Sequence, residues 1–376
     1  MVKHARKTHA RRAWILAASV LSTTFGMSAT AFMAFRHAPV TPILPVAVTA
    51  STVAANGDRH PYGVAFVPPR FPAGGILNAG DLLISDSANN EGKAGLGVSL
   101  VRIRPNGQPS TFFQGSGVGL TAGLKVLRAG FVLVASLPTL DGTTATIQQG
   151  ALLVIDKNGS QVTSIADPNL LDGPGELAVF DKGQTALVFV SNVLSGTVTR
   201  LVLTVTRTAT GQTVTASNLT RIASGYVHRL DSTLPVTGPS GLTYDPRHDT
   251  LFVASAGDNT IFRVANAGTT TADNGTGMVL FNDQAHLHGP LGLVMGPNGH
   301  LLATNSDGVP ADPGKAGDVV EFTDRGQFVS QQAVDPKSGG GFGLHFTRDE
   351  TGVWRMAWIN DYGSTVTIVK FLPPDW

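Results

Sequence analysis

The chain has 376 residues, a formal net charge of +1, 10 histidines and no cysteine. Without cysteine there can be no disulfide, thiolate metal site or cysteine nucleophile. A charge so close to zero provides no field that would argue for nucleic acid or for an acidic partner.

At the N-terminus Lys3, Arg6, Lys7, Arg11 and Arg12 form a basic region ahead of an apolar stretch from Ala13 to about Ala31. Ala29-Thr30-Ala31 offers a small-x-small cleavage site, so residues 1–31 read as an export signal. Arg11-Arg12 loosely resembles a twin-arginine signal, beside the general secretory route. Either route expects a periplasmic or secreted protein. The alternative is an uncleaved anchor to about Phe35, since Ala13–Phe35 is nearly long enough to cross a bilayer. That would be the chain's only attachment to a membrane. Residues 32–45 read as a linker and 46–376 as one domain.

Within the domain one phrase returns about every 50–65 residues. It reads HPYGVAF at 60–66, TAGLKV at 121–126, GPGELAV at 173–179, GPSGLTY at 238–244, GPLGLVM at 289–295 and GGFGLHF at 340–346. Each copy opens a unit of four apolar or alternating runs, A to D, bounded by Gly, Pro, Asn and Asp. The phrase is strand A. Strand B is the most apolar, as in Phe131–Leu137 and Ala186–Asn192, and strand D is polar and variable, as an outer edge should be. The C–D turns carry Asn106-Gly107, Asn158-Gly159, Gly211 and Arg325-Gly326, residues that tolerate positive φ.

The sixth unit stops after strand C at Phe371, and Val46–Ala54 has the composition to supply its fourth strand. The expected fold is therefore all-β: a six-bladed β-propeller of four-stranded blades whose last blade is closed by an N-terminal strand.

The phrase GPSGLTY followed by DTLFVASAGDNTIFRV at 249–264 resembles an NHL-type repeat. It fits one unit well, the units at 60 and 289 fairly, and the rest loosely. The resemblance implies the six-bladed fold. NHL-like propellers include binding modules, lactonase-like enzymes, strictosidine-synthase-like proteins and amidating lyases, so it says little about chemistry.

Alternating strand direction places the D–A and B–C loops on one face. That face carries long loops at 88–97, 138–150, 226–237 and 307–317; the other has one notable loop, 68–80. Alternation along strand A separates two sets. Val64, Leu124, Leu177, Leu242, Leu293 and Leu344 are bulky and should pack between blades. Gly63, Gly123, Glu176, Gly241, Gly292 and Gly343, with Ala65, Lys125, Ala178, Thr243, Val294 and His345, are mostly small and should line a central channel. Lys125, Glu176 and His345 break that rule and are the candidate catalytic residues, with a salt bridge expected between the first two.

On the loop-bearing face the candidate ligand-binding residues are His60, Asp86, Asn192, His228, His288, Asn305, Asp307 and Asp361. His286 and His288 lie on one side of an extended segment. Histidines at a channel mouth could bind zinc, while Asp307, Asp312 and Asp318 in a glycine-containing loop could hold calcium without matching EF-hand spacing. Lactonase-like propellers hold a divalent cation with Glu, Asn and Asp near the axis, and that resemblance, by residue type only, implies Glu176, Asn192, Asn305 and Asp361 here. The bland reading is that such Asn and Asp cap turns. No HExxH, Walker A, dinucleotide fingerprint or GxSxG elbow is present.

Two functions follow. One is an exported, monomeric binding protein that recognises a small molecule, glycan or protein through the loop-bearing face. The other is a metal-dependent lactonase or hydrolase at the channel mouth.

Overall fold

A computed structural model describes residues 47–371 except 121–122, 210, 231–236, 307–313, 315 and 336–338. The signal, the linker and Asp307 lie outside the described residues. Those described form 24 strands in six four-stranded antiparallel sheets, with one single-turn 3-10 helix at Thr144–Thr146. Five sheets take their strands in chain order. In the sixth, Ala47–Ser51 pairs antiparallel along Thr365–Phe371, so strands from both ends of the chain share one blade.

Most predicted strands match the observed ones to within one or two residues; the closing strand ends at Ser51 rather than Ala54, the second A strand is Leu124–Leu127, and the third blade departs further. In the third blade strands C and D run from Thr197 to Thr208 and from Gly211 to Ser224, well beyond the length of their counterparts. Alternating Val, Thr and Leu continue through this hairpin, so the ladder runs on to the Thr208–Gly211 pair.

The core consists of apolar layers between successive sheets. Leu127, Leu133, Leu177 and Val188 belong to one such layer, and Ala50, Val64, Ile84 and Ile368 to another. The predicted packing set, Val64 through Leu344, is buried in all six blades. Its β-branched and leucine side chains stand on the inner faces of the sheets, where burial stabilises by about 1.5–3 kcal/mol each.

The glycine column does something other than line a channel. A Cβ on Gly241 would lie 2.5 Å from both the Leu291 carbonyl oxygen and the Leu293 nitrogen of the next A strand. On Gly292 it would lie 2.6 Å from the Phe342 oxygen, and on Gly343 it would strike the Tyr62 oxygen. These glycines allow adjacent A strands to approach backbone to backbone.

A register shift accompanies them in five of the six A strands, between Pro61 and Val64, Pro174 and Leu177, Pro239 and Leu242, Pro290 and Leu293, and Gly341 and Leu344. Such bulges interrupt the two-residue alternation. In three blades the amide freed by the bulge donates to a strand B hydroxyl: Gly63 to Ser85, Glu176 to Ser191 and Gly292 to Thr304. Gly241→Ala should therefore destabilise the fold by about 1–3 kcal/mol through overpacking, read as a lower urea midpoint; an unchanged midpoint would show that the strands can separate freely.

Candidate functional site

Because of the bulge, Tyr62, Ser240 and Phe342, each one residue before the glycine column, meet at the axis. Tyr62 reaches from the first blade to the fourth, where its hydroxyl lies 3.1 Å from Ser240 Oγ. Its ring packs edge-on against Phe342 at 5.3 Å. The axis is thus spanned at this level by an aromatic side chain hydrogen-bonded to the opposite blade. Burial, with the Glu176 charge nearby adding to it, pushes the Tyr62 phenol up to about 12, so it stays neutral.

Of the three predicted channel residues, Lys125 and Glu176 meet as the expected salt bridge, and His345 lies within reach of the Lys125 charge. Lys125 Nζ donates to Glu176 Oε1 at 2.9 Å, and the same oxygen accepts the Leu177 amide at 3.1 Å. Gly123, which has no Cβ, leaves the space that the Glu176 carboxylate fills. His345 Nδ1 accepts the Phe66 amide at 3.4 Å. Burial first, and the Lys125 charge second, lower its pKa to about 3. His345 is therefore a neutral acceptor at physiological pH. The trio balances its own charge beneath Tyr62.

A second polar group sits where the first and sixth blades meet. His60 Nδ1 lies 3.1 Å from Asp361 Oδ1 and 3.3 Å from Oδ2. The hydrogen bond to Asp361 raises the imidazole pKa against the opposing effect of burial. His60 has φ 61° and precedes Pro61, a combination that L-residues avoid and that costs about 1–3 kcal/mol. Its side chain is 41% exposed, which makes it the accessible member of the pair. The backbone here is held by Ser87 Oγ, which donates to the His60 carbonyl at 2.8 Å.

Beside this pair Asp86 is fully buried, and neither carboxylate oxygen has a hydrogen-bond partner among the described residues. Burial, then the charges of Asp58 and Asp361, push its pKa up to about 9. Asp58 itself accepts the Val98 amide at 2.8 Å. Asp86 pairs opposite Pro61 at the end of strand B, the position held by Asn192 opposite Pro174 and by Asn305 opposite Pro290.

Those two asparagines have structural work. Asn192 Nδ2 donates to the Leu170 carbonyl and to the Thr197 and Thr199 hydroxyls, each at 3.1 Å. Asn305 Nδ2 donates to the His286 carbonyl and Asp318 Oδ1, and its Oδ1 accepts the His288 amide. Both tie a D–A loop to its blade. A protonated Asp86 is the acid nearest to asparagine in shape.

The other histidines are dispersed. His228 Nδ1 lies 3.0 Å from the Tyr226 carbonyl, and His286 pairs with Asp283 and stacks on Phe328. His288 is buried. Of the set Glu176, Asn192, Asn305 and Asp361, three are engaged elsewhere, Glu176 with Lys125, Asp361 with His60 and Asn305 Oδ1 with the His288 amide, while Asn192 Oδ1 is buried without a hydrogen-bond partner among the described residues. Among the described residues no three His, Asp or Glu side chains converge to hold a metal ion. Sequence reasoning missed Tyr62, Ser240 and Asp58. The only signal for the first two was the variability of the column before the glycines.

No protein-family model matches the chain, and no curated protein does. Among solved structures it is similar to a luciferin-regenerating enzyme, at 12% identity and TM-score 0.49, over 88% of this chain and 96% of that one. It is similar to the calcium-binding protein regucalcin of Agrobacterium tumefaciens, at 13% identity and TM-score 0.49, over 85% and 93%. A glucose dehydrogenase aligns at 13% identity and TM-score 0.45, over 87% and 100%. At such identities the likeness concerns the fold alone.

The Asp86 environment has a signed consequence. The folded state holds a proton that the unfolded chain releases in the ordinary carboxylate range. The associated stability is complete below that range and is lost as pH rises through about 9. Asp86→Asn should remove this loss, giving a higher urea midpoint at about pH 8 and a flatter profile from about pH 5 to 9. Parallel profiles for the two proteins would mean that Asp86 has an ordinary pKa.

Proposed function

We propose that the chain is an exported propeller that binds a small molecule or glycan on its loop-bearing face, at the seam of the first and sixth blades. The observation that carries this is the His60–Asp361 pair, a strained and accessible imidazole held by a carboxylate. Inside the channel, by contrast, Lys125 and Glu176 satisfy one another and His345 accepts the Phe66 amide, behind Tyr62. Strain of this kind persists where the surrounding structure over-determines it, and binding sites are where it collects. Loops on a rigid sheet scaffold suit recognition. Export is supported by the basic and then apolar pattern of residues 1–31.

A hydrolytic reading has one observation in its favour. An imidazole oriented by Asp361 with a raised pKa has the form of a general base. For the metal-dependent version of that reading, no three His, Asp or Glu side chains converge among the described residues.

Thermal shift of the purified protein against a panel of sugars, sugar acids and lactones separates these readings. A stabilising compound should lose at least about tenfold in affinity with His60→Gln or Asp361→Asn, and no compound should be turned over. Turnover of a lactone that falls at least about a hundredfold with His60→Gln, and that survives chelation, would move the assignment to hydrolysis. Stabilisation unchanged in both variants would place the ligand elsewhere.

A further inference from the structure

We propose a second site on the face opposite the mouth: a cleft between the second and third blades that binds a small anion bearing phosphate or carboxylate groups. The cleft has a volume of about 440 Å³ and is lined by Arg128, Lys157 and Arg207, with Gln184, Thr208 and Gln212 among its polar walls. That volume lies in the range of small-molecule sites.

Three elements build it, each fixed by its own contacts. The first wall is loop 68–80, which crosses from the first blade onto the second. The Lys157 carbonyl accepts the Ile76 and Leu77 amides at 3.0 and 3.2 Å. Lys157 Nζ donates to the Ala73 carbonyl, Leu77 is fully buried, and Pro72 lies over Gly130. This loop is therefore a rigid wall rather than a tolerated insertion.

The second wall is the turn at Arg128. Its amide donates to Asp181 Oδ2 at 2.7 Å, and its guanidinium donates to the Asp181 carbonyl. The third is the extension of the Thr197–Thr208 and Gly211–Ser224 hairpin, in which Arg207 pairs with Gln212.

The charge in the cleft is not balanced from within. Arg128 has Asp181 beside it at 3.6 Å. Asp156, in the adjoining hollow of about 150 Å³, points its Oδ1 at the Asn158 and Ser160 amides. Lys157 donates to a backbone carbonyl, which leaves its charge in place. Among the described residues the Arg207 guanidinium has no acidic partner. A planar guanidinium on each of two walls and an ammonium on the third offer the donors that phosphate and carboxylate oxygens take. Two glutamine amides add neutral donors for orientation.

Calorimetric titration of the full chain with pyrophosphate and with citrate, at about 0.15 M salt, tests the site, because that ionic strength screens weak surface attraction. Binding of either anion tighter than about 1 mM is expected. The preferred anion assigns the ligand to the phosphate or the carboxylate class. Arg207→Ala and Lys157→Gln should each weaken binding at least about tenfold, and Arg207→Glu should abolish it. Arg263→Ala, a change on the surface of the fourth blade, should leave it unchanged. Arg207 is exposed, so its variants should fold, as circular dichroism would verify. No heat from either anion at this salt, or equal affinity in Arg207→Glu, would overturn the proposal.

Discussion

The close approach of neighbouring A strands governs the rest of this molecule. Gly241, Gly292 and Gly343 each place the backbone of the next strand where a Cβ would stand. That contact sets the bulge, and the bulge decides which side chains reach the axis. It also leaves amides that Ser85, Ser191 and Thr304 must accept. A larger residue in the column would therefore disturb packing, hydrogen bonding and the axial layer together.

Glu176 is the instructive exception. It occupies the glycine column in the third blade, yet its carboxylate enters the space that Gly123 leaves in the second. Burying that charge is unfavourable without a partner, and Lys125 provides one at 2.9 Å. At that interface the backbones still meet, the Gly123 amide donating to the Gly175 carbonyl at 2.8 Å, and the ion pair is added to that contact.

Much of the fold could be read from the chain because its signals are local and repeated. Six copies of one phrase identify the blades, and Val64 through Leu344 fall on the packing face where alternation puts them. The axial set could not be read, because a bulge shifts the period by one and nothing in a single copy marks where. Hence Tyr62 and Ser240 were overlooked while glycines stood in for a channel lining. The convergence of Lys125, Glu176 and His345 was legible from column exceptions. The His60–Asp361 pair was legible only as two separate candidates, since they stand 301 positions apart. Asn192 and Asn305 looked like ligands because residue type alone does not reveal that their amides hold loops in place.

The sixth blade joins Ala47–Ser51 to Thr365–Phe371, and the His60–Asp361 pair lies at its border with the first. The two side chains stand 301 positions apart in sequence. Folding of single blades cannot bring them together; only closure of the ring at this border does. The pair therefore forms with that closure and not before it, and partly folded molecules carry scaffold without the seam.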